Sequence, residues 1–328
     1  MHDDRPDAAA ARRDSRVRHR PRGRGGPSYD PYAEVVITDG DGSALLNALL
    51  VLTDPGDEVI LTDPTYAGML QRVRLVGAEP RLVPLRGDAD GWRLDLDAFR
   101  EAVTDRTRVV FLMSPAIPTG WVANDEEWAA VTAICRGRGI HLLYWSAWEA
   151  VVFGGRPVVV PSALDGMRDA TVTAGCVSLE QRMIGWRVGW TVSNAELAPS
   201  LGMVHIYNGI VPSGFGQIGA AAALRAGDED VRTAVAEWER RHEELVRQCE
   251  GLRLVPAHGG WSALLDAEAL GVPAPELSRR LLEQKVAATP MTDAWGGEVA
   301  TRHVRLVFSN EPVERLALLG ERLRAALV

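Results

Sequence analysis

Lysine is almost missing from this chain. Of 36 basic residues, 35 are arginine and one, Lys285, is lysine. Any chemistry that needs a side-chain amine for a Schiff base therefore has a single candidate. Cysteine is scarce too: Cys135, Cys176 and Cys249 are odd in number and widely spaced. That pattern argues against a disulfide framework and against a zinc site, and it makes the cytoplasm the expected location. No apolar run has the length needed to cross a bilayer, and no apolar stretch of a secretory signal opens the chain, so no membrane partner is expected. Tyrosine and phenylalanine number five each, against ten tryptophans.

What is present describes a globular chain. With 328 residues, 46% of them hydrophobic, and a mean hydropathy of −0.06, it has the material for two domains, or for one large domain with an appendage. The net charge of −8 is unevenly spread. Residues 1–24 carry eight arginines against four aspartates, which leaves a strongly acidic remainder. Such an arm suits an acidic partner or nucleic acid, or is a loosely packed leader. The acidic body argues against nucleic acid as a partner.

Along the chain, apolar strands alternate with helices. "AEVVITDG" (33–40) reads as a strand running into the turn Gly40-Asp41-Gly42-Ser43 and a helix over 44–52. Further strands are expected in 57–66, 79–85, 106–120, 140–147, 170–178 and 186–193, with a helix over 125–138. This pattern predicts a mostly parallel sheet covered on both faces. A long helix starts after Asp228, with Val231, Val235, Trp238, Leu245 and Cys249 near one stripe. His242 and Glu243 on that helix are expected to face solvent. Strands in 252–267 and 301–312 and a helix over 274–284 complete a smaller α+β unit. The expected division is an arm (1–32), a large domain (33–227) and a small C-terminal domain (228–328).

The Gly-rich turn at a strand end could present backbone N–H groups to a phosphate, although tight turns also use glycine for steric reasons alone. The ordered blocks "VITDGDGSALLNALLVLTDPGDEVILTDPTYAGM", "SPAIPTG", "LLYWSAWEAVVFGG", "GCVSLEQRMIGWRVGW", "GGWSALLD" and "HVRLVFSNEP" say more. Together, from Ala33 to the C-terminus, they resemble the class I/II aminotransferases, pyridoxal-phosphate enzymes of fold type I. The resemblance implies an α/β large domain with a mostly parallel sheet and a smaller α+β C-terminal domain. It also implies several dozen residues ahead of the first strand that help form the small domain and the dimer, where this chain has 32.

Set residue by residue on the family's motifs, the chain departs at the centre. The family's S-x-S-K is followed eight residues later by a phosphate-binding arginine. Arg187 matches that arginine, which puts Leu179 at the lysine and Cys176 and Ser178 at the serines. The aspartate and tyrosine of D-x-x-Y fall on Trp145 and Trp148, and the asparagine of N-P-T-G falls on Ile117. Kept are Arg187, Tyr66 where the family stacks an aromatic on its cofactor, and Arg305 where it grips the substrate carboxylate. Core salt bridges are the competing role for both arginines.

These departures set the functional expectation. It is a PLP-independent enzyme of specialised metabolism, a lyase or cyclase with no cofactor, acting on a carboxylate or amino-acid-derived substrate by cyclisation, condensation or elimination. Trp145, Trp148, Glu180 and Ser178 are its catalytic candidates, and Arg305, Arg187, Tyr66, Trp121 and Ile117 its substrate-binding ones. The alternative is a non-catalytic homologue that binds a ligand or partners an active subunit, as homodimer or heterodimer. The tryptophans either fill a vacated cofactor cavity or form an aromatic box. His205, beside Tyr207 and Asn208, is expected after a helix, as a structural residue more readily than a catalytic one.

Overall fold

The computed structural model describes residues 26–328. Most of the arginine-rich arm, residues 1–25, lies outside the described residues. Tyr29 is already buried against Val35 and Val192, with the Arg168 guanidinium 4.6 Å above its ring.

Strand runs that are apolar throughout can be buried on both faces only inside a helix-covered sheet. Six-residue β2 (Glu58–Asp63) and β7 (Thr171–Cys176) are buried at every position. With β1 (Val35–Thr38), β3 (Glu79–Asp88), β4 (Gly91–Leu94), β5 (Thr107–Leu112), β6 (His141–Trp145) and β8 (Gly189–Val192) they form one sheet. Its order is β1-β8-β7-β6-β5-β2-β3-β4. Pairings among β3, β2, β5, β6 and β7 are parallel, whereas β8 runs antiparallel to both β7 and β1. The carboxyl ends of β1, β2, β5, β6 and β7 therefore open on one edge, where α/β sheets bind ligands. A second, antiparallel sheet has the order β11-β12-β10-β9, from β9 (Leu254–Val255), β10 (Ser262–Asp266), β11 (Thr289–Pro290) and β12 (His303–Val307).

Local chemistry sets the helix ends. Helix Asp125–Arg138 starts on a reciprocal capping box between Asn124 and Glu127 and stops at Gly139, whose φ of 64° suits a residue without Cβ. Helix Asp41–Leu52 starts at Gly40 and packs under β6, β7 and β8. Helix Glu229–Gln248 buries Val231 and Leu245, and Val235 and Trp238 pack onto the same core.

His242 on that helix departs from expectation. It is buried, stacked at 5.3 Å on Phe153, and its Nε2 accepts a hydrogen bond from the Ala257 N–H at 3.0 Å. Burial, reinforced by the nearby His258 and Arg156, pushes its imidazole down to about 4. The unfolded chain, titrating near the ordinary value of 6.5, then binds more protons than the folded one in this window. The stabilisation is present above about pH 6.5 and is lost as pH falls towards 4. Between pH 7.5 and 4.5 this one group is expected to cost about 2.5 kcal/mol. Urea unfolding at both pH values should show a smaller difference in His242→Gln than in wild type; equal pH slopes would refute the assignment.

Candidate functional site

The sheet's carboxyl edge gathers the residues singled out from sequence. Tyr66 follows β2 and caps helix Ala67–Leu75, and its ring lies 5.0 Å from that of Trp145 at the end of β6. Trp145 is buried, and its indole N–H donates to Asp41 Oδ2 at 3.0 Å. Asp41 is the first residue of its helix and also accepts from the Gly42 N–H at 3.0 Å. The N-terminus read as a phosphate cradle thus already holds a carboxylate, the charge a helix N-terminus favours.

Two guanidiniums bracket this turn. Arg187 donates to the carbonyls of Ile184 at 2.9 Å and Asp39 at 3.1 Å and lies against Gly40, where a Cβ would collide with it. It is exposed, with φ +52°. Arg72, which no motif singles out, donates to the carbonyls of Gly68 at 2.7 Å and Gly42 at 3.2 Å.

Several expected contact residues prove to be wall or core. Trp148 is almost wholly buried, its indole donates to the Pro115 carbonyl at 3.0 Å, and Trp261 meets it edge-on at 4.9 Å. Trp121 is 1% exposed and donates to Glu127 at 3.2 Å, the carboxylate that caps helix Asp125–Arg138. Ile117 and Ser178 are buried as well. Glu180 Oε1 accepts the Ala150 N–H at 2.8 Å, a backbone-holding role rather than a poised base. Leu179 is half-buried on the main core. His205 lies within helix Ala198–Gly209 rather than after it; its Nδ1 accepts from Asn47 at 3.2 Å, and its Nε2 stands 4.0 Å from Asp39.

Arg305 comes from the smaller sheet. It is half-buried on β12, paired in register with Thr289 and Leu264. Its guanidinium stacks 4.7 Å above Trp295, and its one side-chain hydrogen bond is a long contact of 3.5 Å to Thr289 Oγ1. Nε is buried without a partner. Burial lowers its pKa with no carboxylate opposing the shift. The neighbouring chain is tied to Tyr66: Thr65 N–H donates to the Trp295 carbonyl at 2.7 Å. Asp63 accepts from the N–H groups of Gly297, Val299 and Ala300 at 2.9–3.0 Å. The tie joins the aromatic pair and the free guanidinium through residues far apart in sequence. Trp295 and Asp63 had no signal of their own in the sequence.

Comparison with known proteins places this arrangement. The family profile described as Aminotransferase class I and II matches residues 15–319. A Mycobacterium tuberculosis protein named as a probable N-succinyldiaminopimelate aminotransferase is 30% identical over 316 residues, covering 90% of this chain and 80% of the relative. An arginine–pyruvate transaminase of Pseudomonas aeruginosa is 31% identical over 318 residues, with 94% and 80% covered. The solved N-succinyldiaminopimelate aminotransferase from M. tuberculosis superposes with a TM-score of 0.88 at 30% identity, covering 98% of this chain and 84% of that one.

These findings overturn the expectation of a PLP-independent lyase or cyclase, and that of a non-catalytic homologue. Relatives across most of the chain are named as aminotransferases, and none of the comparisons points to a different reaction. The motif positions themselves carry other side chains. Position 179 is leucine, Trp145 bonds Asp41, and Lys285 lies on the smaller unit in a separate cavity.

Proposed function

Since the chain belongs to the class I and II aminotransferases, we propose that its site takes a small amino or keto acid and grips the substrate carboxylate with Arg305. The observation that carries this reading is a half-buried guanidinium on an aromatic ring with no acid beside it among the described residues. A desolvated cation of that kind is costly unless a ligand pairs with it, and its planar fork matches a carboxylate. In this reading the unit 33–227 supplies the aromatic wall of Tyr66 and Trp145, and the unit 228–328 supplies the anchor. Calorimetric titration with a panel of amino acids, keto acids and their amides tests it. The acids should bind and the amides should not; equal binding of both would refute the reading. The same panel, assayed for amino-group transfer with and without added pyridoxal phosphate, reports on the reaction named for the relatives.

The partner supported best is a second copy of the chain. Helices Ala198–Gly209 and Gly214–Arg225 and the turn between them leave Tyr207, Ile210, Val211 and Phe215 more than 70% exposed. Contiguous apolar surface of this kind marks an interaction face. A heterodimer with another aminotransferase-like subunit has no support in the comparisons. Sedimentation should show a dimer that Phe215→Glu shifts towards monomer; a wild-type monomer would refute this.

A further inference from the structure

We propose that a cavity behind β12, on the smaller unit, binds a small organic anion: a carboxylate or phosphate monoester with an apolar body. The cavity has a volume of about 330 Å³, the size that drug-like ligands occupy. Its floor is apolar, from Leu245, Leu306, Leu316 and Leu319, all buried. Its rim carries three cations, Lys285, Arg315 and Arg322, against one acid, Glu311. That acid is already engaged by Arg315 Nε at 3.1 Å. Arg322 spends one N–H on the Lys285 carbonyl at 3.3 Å. Cationic rim and apolar floor together select a ligand with a charged head and a greasy body.

A second observation singles out Lys285. It stands just past helix Ala274–Glu283 with φ +61°, closing the helix through Lys285 N–H to Leu282 O and Val286 N–H to Leu281 O, both 2.9 Å. Glycine or asparagine favours that left-handed position, and a long side chain there is strained. A chain that uses arginine for 35 of its 36 basic residues places its one lysine at this strained point, on the cavity rim. The cavity is distinct from the site above. Of β12 it is lined by Leu306 and by Val307 at the strand's end but not by Arg305, and Leu306, consecutive with Arg305, faces the opposite side of the sheet from that guanidinium.

The full-length protein allows a direct test, because Lys285 is its only ε-amine. Its labelling by trinitrobenzenesulfonate, followed by peptide mass mapping, is measured with phenyl phosphate, benzoate, inorganic phosphate or benzyl alcohol at millimolar concentration. The two aromatic anions should slow labelling of Lys285 about tenfold, while inorganic phosphate and the neutral alcohol leave it nearly unchanged. Comparing phenyl phosphate with benzoate distinguishes the two head groups. Arg322→Ala should abolish the protection, and Arg305→Ala should leave it intact. Calorimetric titration with phenyl phosphate gives the same comparison without labelling. Protection by benzyl alcohol alone, or neither protection nor heat with either aromatic anion, would overturn the proposal. Loss of protection in Arg305→Ala would merge this cavity with the family site.

Discussion

Arg305→Ala should weaken binding of a small keto acid by about 2–4 kcal/mol, roughly 30- to 1,000-fold, the range for truncating one side of a desolvated charge pair. Among the described residues the guanidinium has no competing acid, so little of its interaction energy is committed elsewhere. Arg305→Lys should fall between the two, because an ammonium keeps the charge but not the two-pronged fork. Stability should move by no more than about 1 kcal/mol, since the side chain is only half-buried and its one hydrogen bond is long. Calorimetry alongside urea unfolding separates the two effects. Unchanged affinity in a folded Arg305→Ala protein would leave the arginine without a binding role.

Asp63→Ala is expected to destabilise the protein by about 3–4 kcal/mol. This buried carboxylate accepts three backbone N–H groups at the start of helix Glu298–Thr301, and alanine would leave all three unpaired. Each orphaned buried donor costs about 1–3 kcal/mol, and partial relaxation of so short a helix reduces the sum. Burial raises the Asp63 pKa even against those hydrogen bonds and the nearby His303. Asp63→Asn retains an acceptor and should cost only about 1 kcal/mol. The change should also loosen Trp295, and with it the surface on which Arg305 rests. A stability loss below about 1 kcal/mol in Asp63→Ala would show that the tie between the two sheets is incidental.

The large sheet was legible because parallel strands buried on both faces leave continuous apolar runs, as over Val109–Leu112 in β5 and Leu142–Trp145 in β6. Helix Asp125–Arg138 was expected over the same residues, and its asparagine cap and closing glycine account for both ends. The strand expected over 186–193 begins three residues late, at Gly189, because Ile184–Trp186 coil into a single tight turn and Arg187 takes a left-handed conformation. Its apolar pattern does not distinguish that turn from a strand. His242 looked solvated beside Glu243, but the Phe153 ring and the Ala257 N–H that bury it come from outside the helix.

Family motifs single out Arg305, Tyr66 and Trp145, but carry nothing of how the structure joins them. Asp63 reaches 234 residues along the chain to Gly297, and Trp295 sits in a stretch with neither periodicity nor motif. The motif around Trp121 says nothing of Glu127, a capping residue six positions on that takes its indole N–H. Motifs fix which strand ends carry the site. Long-range hydrogen bonds decide which of those side chains remain free to meet a ligand.

The most direct measurement is a crystal structure of the protein with a bound keto acid from the titration panel. The account predicts the ligand carboxylate in a two-pronged contact with the Arg305 guanidinium, about 2.8 Å from its nitrogens, with the rest of the molecule against Tyr66 and Trp145. A carboxylate bound elsewhere, or Arg305 turned onto an acid of the protein, would contradict it.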